Sequence, residues 1–128
     1  MKTKLKPCRE LISDNLEDRA ADFIAFMNAD DLDENILNKD GDEIGSFYSY
    51  GLAFDFVEEC EHNGHHMAGY WRYQLSWGGP SDEIRFYKDG GIEYWYMDWF
   101  DGAGKDIRHL DWAKWLEEMF DIENEFFN

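Results

Sequence analysis

Positive charge is scarce in this chain: 12 Lys and Arg stand against 29 Asp and Glu, a formal net charge of −17 over 128 residues. The few bases are also unevenly placed. Lys2, Lys4, Lys6 and Arg9 fall in the first nine residues, so from Glu10 onward 29 acids face 8 bases. Binding to nucleic acid or to an anionic membrane surface needs positive groups that displace counterions, and this composition excludes both. Cysteine is scarce too. Two residues, Cys8 and Cys60, are too few for the disulfide framework of a small secreted domain. No apolar run approaches the roughly 20 residues of a membrane span, and the basic start MKTKLKPCRELISDN lacks the apolar stretch of a secretion signal. These absences lead us to expect a cytoplasmic protein with reduced thiols, and no membrane contact.

What is abundant is aromatic and acidic. Hydrophobic residues make up 44% and aromatics 18%, which an unfolded acidic tail would lack. The length suits one domain, residues 1–128. A surface this acidic repels itself and favours cationic partners, either a basic protein groove or metal ions.

The pattern along the chain predicts an α+β fold. In CRELISDNLEDRAADFIAFMNA, the residues Leu11, Ile12, Leu16, Ala20, Phe23, Ile24 and Met27 recur at helical spacing. Glu10, Asp14, Glu17, Asp18 and Asp22 fall on other faces, so the helix is amphipathic with an acidic side. Residues 30–46, DDLDENILNKDGDEIGS, carry seven acids and one Lys and read as an acidic loop with one short helical turn. From Phe47 the period becomes two. FYSYGLAFDFVEE sets Tyr48, Tyr50, Leu52, Phe54 and Phe56 on one face, and AGYWRYQLSW sets Trp71, Tyr73, Leu75 and Trp77 on one face. DEIRFYK and GIEYWYMDWF flank Asp89-Gly90-Gly91, a strong hairpin signal. DGAGKDI reads as the end of the strands, and Leu110, Ala113, Leu116 (or Trp115), Met119 and Phe120 predict a second helix over about residues 109–121. The expected architecture is an N-terminal helix, a four-stranded antiparallel β-meander and a C-terminal helix packed on one sheet face.

Four stretches invite a functional reading. SWGGPSDE, residues 76–83, has no phosphate-loop Lys-Ser/Thr and no following helix. Adjacent strand residues point to opposite faces, so Asp82 and Glu83 do not converge as a catalytic dyad. This stretch reads as a hairpin corner, with contact to a partner as its functional alternative. CEHNGHHMAGYW gathers Cys60, His62, His65 and His66 in one loop. Structural zinc sites draw paired ligands from two places in the chain, which here would require Cys8 or His109. A solvated loop tip at Gly64 is the plainer reading, with His protonation near pH 6 as a means of modulating a partner. NKDGDE fails the EF-hand template, because taking Gly41 as the loop glycine puts Ile36 at position one and Phe47 at position twelve. Nucleophilic catalysis finds no Gly-x-Ser-x-Gly. Cys8 lies near the N-terminal end, and Cys60 sits among Glu58, Glu59 and Glu61, not in the electropositive setting of a reactive thiol. Trp71, Trp77, Trp95, Trp99, Trp112 and Trp115 lack the Lys and Arg that accompany a base-stacking platform, so they read as core and as anchors for a protein interface.

The stretches YWRYQLSWGGPSDEIRFY and IEYWYMDWFDG, in a chain of this size and charge, resemble the small acidic inhibitors of phages and other mobile elements, of the DNA-mimic, anti-CRISPR and anti-restriction type. The resemblance implies a stoichiometric inhibitor, not an enzyme. Its carboxylates would occupy the basic surface of a CRISPR effector or restriction enzyme in the host cytoplasm, with no direct nucleic-acid contact and no cofactor. The contact residues expected are Asp14, Glu17, Asp18 and Asp22 on the first helix, Asp30, Asp31, Asp33 and Glu34 on the loop, and Asp82 and Glu83 at the corner. The protein would act as a monomer or a homodimer. An antitoxin or immunity protein against a basic nuclease toxin has the same electrostatics. A metal protein or enzyme built on the Cys60–His66 loop is the third class.

Overall fold

The computed structural model describes residues 7–99 and 101–122. Helix α1 spans Cys8–Met27, as its periodicity predicts, and buries Cys8, Ile12, Leu16, Ala21, Phe23 and Phe26. Its N-terminus has no side-chain cap of its own. The Cys8 amide instead donates to Asp101 Oδ2 at 2.7 Å, so a distant strand satisfies one of the helix's free N–H groups. That contact also fixes Cys8, which is buried and not at a loose end. With the Asp101 carboxylate beside it, burial raises the Cys8 thiol pKa above its ordinary value.

The acidic stretch after α1 forms a two-stranded antiparallel ribbon, β1 (Ile36–Leu37) with β2 (Glu43–Gly45), in place of the expected loop. The Asn38 side-chain oxygen builds its turn by accepting the amides of Asp40 and Asp42 at 3.0 and 3.1 Å. Phe47–Tyr50 is a helical turn, α2, not the start of a strand. Ser46 causes the difference: its Oγ accepts the Ser49 amide at 3.3 Å and caps the turn.

The main sheet has five strands, one more than the meander expected. They are β3 (Ala53–Val57), β6 (Tyr70–Ser76), β7 (Ser81–Tyr87), β8 (Ile92–Asp98) and β9 (Asp101–Asp106), neighbours in that order and antiparallel throughout. Between β3 and β6 a separate ribbon projects, β4 (Cys60–His62) with β5 (His65–Met67). The fifth strand is DGAGKD, whose glycines look like breakers. Gly104 pairs with Trp95, and a Cβ on Gly104 would lie 2.4 Å from the Trp95 ring, so glycine is what lets the indole lie across the strand.

Helix α3 spans Asp111–Met119 and buries Trp112, Ala113 and Leu116. Met119 is partly exposed, and Phe120 turns inward to stack on Phe54 at 4.6 Å. The core joins α1, α3 and one sheet face: Phe23 stacks on Trp112 at 5.2 Å, over Ile84, Phe86, Ile92 and Tyr94. Trp77, expected to share a face with Trp71, lies beyond the end of β6 and is exposed. Among the described residues no helix is long and apolar enough to cross a membrane.

Candidate partner-binding surface

The acids expected to meet a partner divide into two groups. Asp14, Glu17 and Asp18 are exposed on α1, where their spacing of three and four residues after Glu10 aligns them in one ridge. Asp30, Asp31, Asp33 and Glu34 are exposed in the segment leaving α1, and Asp31 Oδ1 shapes it by accepting the Asp33 amide at 2.9 Å. Asp40, Asp42 and Glu43 on the β1–β2 ribbon are exposed as well. They were not singled out from the sequence, although the acid density of residues 30–46 marked them.

Asp82 and Glu83 do not belong to this surface. Asp82 is 4% exposed and Glu83 3%, both inside strand β7 and not on a corner. The corner is residues 77–80, between the ends of β6 and β7, and pairing slips between Gln74 and Ser76, which sets Ser76 opposite Asp82. Asp82 then accepts from Ser76 Oγ, from Tyr94 OH at 2.7 Å, and from Arg19 of α1 through Nε and Nη2 at 2.7 and 2.9 Å. Buried carboxylates are tolerated where donors surround them in this way. Glu83 faces the other side of the sheet and accepts Arg85 Nε at 2.8 Å. The Arg85 guanidinium lies 4.2 Å from the Trp95 ring centre and 4.5 Å from that of Tyr70.

Asp22 has a different role from its neighbours on α1. It is half-buried, accepts Tyr50 OH on one oxygen and Asn38 Nδ2 at 3.0 Å on the other. Tyr50 in turn receives Arg19 Nη1 at 2.8 Å. The chain Asn38–Asp22–Tyr50–Arg19–Asp82 therefore ties the β1–β2 ribbon, α1 and α2 to the sheet. Burial alone would lower the Arg19 pKa, but its hydrogen bonds to Asp82 and the neighbouring Tyr50 hold it above its ordinary value. Burial raises the Tyr50 pKa, and Asp22 adds to the effect, so the phenol stays a donor. Sequence periodicity did not single out Arg19, and no local signal paired it with a residue across the fold.

Three of the described bases are thus paired within the chain: Arg19 with buried Asp82, Arg85 with buried Glu83, and Arg72 with the half-exposed Asp55 at 2.6 and 3.0 Å. The exposed bases are Arg9, Lys39, Lys88, Lys105, Arg108 and Lys114, and exposed carboxylates among the described residues outnumber them about three to one.

The other candidate chemistry is sparse. An open hollow of about 220 Å³ beside Phe47, Leu52, Phe54 and Phe120 has no carboxylate, imidazole or thiol in its lining. Among the described residues no three His, Cys, Asp or Glu side chains are gathered to hold a metal ion. His66 approaches Glu59 at 3.4 Å, and both are solvated. No protein-family model, curated protein or solved structure matches the chain.

Proposed function

We propose that the protein is a stoichiometric acidic inhibitor, a binding protein and not an enzyme, that docks on the basic nucleic-acid-binding surface of a host defence nuclease complex. Its binding face is the α1 ridge Glu10, Asp14, Glu17 and Asp18, continued by Asp30, Asp31, Asp33 and Glu34 and by the acidic ribbon. The observation that carries this reading is the network from Asn38 to Asp82, which fixes two acidic elements, α1 and the β1–β2 ribbon, to one sheet. A fixed carboxylate array binds a basic groove without the ordering cost of a flexible acidic tail. Association driven by such an array is fast and falls steeply with salt.

The test begins with capture of partners from a host lysate at graded salt, followed by purification of the captured protein. The expected result is a nucleic-acid-binding nuclease that loses its DNA or RNA when this protein is added at one equivalent. The variant Asp14→Lys/Glu17→Lys/Asp18→Lys should remain folded and fail to displace nucleic acid. Full inhibition by that variant would refute the assignment. Neutralisation of a free toxic nuclease, without displacement of nucleic acid from an effector complex, would identify an antitoxin instead.

A further inference from the structure

The two edges of the main sheet are guarded unequally. β9 carries Asp101, Lys105 and Asp106, all exposed. Helix α1 is tied along it: the Cys8 amide donates to Asp101 Oδ2 at 2.7 Å, and Lys105 Nζ donates to Ser13 Oγ at 3.1 Å. Charged side chains and a covering helix are the usual means of keeping an edge strand from pairing with another chain. β3 is the opposite edge, and among the described residues β6 is the only strand paired with it. Its sequence, Ala-Phe-Asp-Phe-Val, has no Lys and no Pro, and its pairing with β6 runs without a bulge. Its one charge is cancelled in place. Asp55 lies directly opposite Arg72 of β6, whose guanidinium donates to both carboxylate oxygens at 2.6 and 3.0 Å.

We propose that the protein forms a two-fold symmetric homodimer, in which the β3 edges of two copies pair antiparallel about Asp55 and join the two sheets into one. The strand suits a copy of itself because its sequence is symmetrical about Asp55. With Asp55 on the two-fold axis, Ala53 faces Val57 of the second copy and Phe54 faces Phe56, so apolar residues meet apolar residues on every step but the central one. Phe54 belongs to the core face, where it stacks on Phe120 at 4.6 Å. Phe56 shares that face and is 42% exposed. In the dimer it stands beside Phe54 of the second copy, at the rim of the hollow that Leu52 and Phe54 line. Aromatic pairs opposed across antiparallel strands stabilise the pairing. On the other face the two Asp55 carboxylates meet, and bare like charges in that position would force the strands apart. Each copy brings its own Arg72, so the row across the axis reads Arg72, Asp55, Asp55, Arg72 and sums to zero. That cancellation lets a chain of net charge −17 meet itself at this edge. Because β9 is guarded, pairing closes at two copies and does not propagate into a filament. The dimer does not depend on the acidic face of α1 or on a nuclease partner.

The test is sedimentation equilibrium of the full chain over a concentration series, at low and at high NaCl. The mass should rise from one chain toward two, and association should strengthen with salt, which screens the repulsion between two acidic chains. Docking on a basic partner weakens with salt, so the two readings fail separately. Arg72→Ala bares Asp55 and should weaken the dimer by roughly fivefold, the upper end for a cross-strand charge pair. Asp55→Asn added to Arg72→Ala removes the bare charge and should restore it. Asp55 and Arg72 are 46% and 30% exposed, so circular dichroism of these variants should match the parent. Val57→Lys sets a lysine on the edge and should abolish pairing, whereas Glu17→Lys, on α1, should strengthen it at low salt by lowering the net charge. In hydrogen exchange, amides of Ala53–Val57 should slow as the protein concentration rises, and those of β9 should not. A single-chain mass at every concentration and salt would overturn the proposal, as would a dimer that survives Val57→Lys, or concentration-dependent protection that spares β3.

Discussion

Arg19 and Asp82, 63 residues apart in the chain, meet as a two-pronged ion pair at 2.7 and 2.9 Å between α1 and β7. The Asp82 side chain is 6% exposed and that of Arg19 22%, so neither charge is well solvated. Removing one partner of such a pair strands the other. For a buried pair the loss is about 3–5 kcal/mol, and the partial exposure of Arg19 places Arg19→Ala near or below the low end of that range. Asp82→Ala should be the more damaging, because it also abandons Tyr94 and Ser76. Urea unfolding midpoints measure both; losses under about 1 kcal/mol in both variants would mean that the network does not hold the helix.

The helices and the strand cores were legible in the sequence because periodicity reports burial directly. α1 and α3 appear where the 3.6-residue pattern put them, and β6, β7 and β8 where the two-residue pattern did. The errors lie where one local group overrules the pattern. Ser46 caps a helical turn over aromatic residues that read as strand. Gly102 and Gly104 read as a break, yet they sit in β9, where the partner strand's Trp95 explains the missing side chain at Gly104. A cross-strand reason of that kind is invisible until the register is known.

Tyrosine chemistry gives a second test. Burial raises the pKa values of Tyr50, Tyr73 and Tyr94 well above the ordinary value of 10. The folded state therefore holds these protons more tightly than the unfolded state. Their contribution to stability is complete below pH 10 and declines as the pH rises above it. In an alkaline titration followed by tyrosinate absorbance, these three should ionise together with the loss of the near-ultraviolet circular dichroism of the fold. Smooth titration of all seven tyrosines within a native spectrum would contradict the burial.

Glycine substitutions separate close packing from backbone strain. A Cβ at Gly51 would lie 2.0 Å from the ring of Tyr73, which is itself buried. Gly51→Ala should displace that ring and destabilise by about 1–3 kcal/mol, the usual effect of overpacking. Gly64 has open space around it and only a positive φ of 79° to maintain. Gly64→Ala should be the milder change, about 1 kcal/mol. Thermal or urea unfolding of the two variants gives the order, and the reverse order would discount the Tyr73 contact.

The candidate surface was less legible than the fold. Acid counting found the residues that stay in solvent, Asp14 through Asp18 and Asp30 through Glu34. It failed at Asp82 and Glu83, because two adjacent acids in a strand look the same whether solvated or buried. Only the positions of Arg19 and Arg85, one on another element and one two residues along, decide the matter. Likewise Asp22 lies in the same helical run as Asp18, but Tyr50 and Asn38 reach it across the fold.

Charge itself yields the last prediction. With exposed acids in such excess, mutual repulsion should weaken the folded state most at low ionic strength, where the Debye length reaches about 30 Å at 0.01 M. Raising NaCl toward 0.5 M should increase Tm. Replacing one ridge acid, as in Glu17→Lys, should also increase Tm at low salt, by the few tenths of a kcal/mol typical of exposed charges, and the gain should shrink as salt is added. Asp82→Lys should do the opposite, because it sets a like charge against half-buried Arg19 and lowers Tm at every salt concentration. The contrast distinguishes acids that repel one another on the surface from acids that hold the fold. If Glu17→Lys lowered Tm at low salt, that position would carry a stabilising contact and would have to leave the proposed binding face.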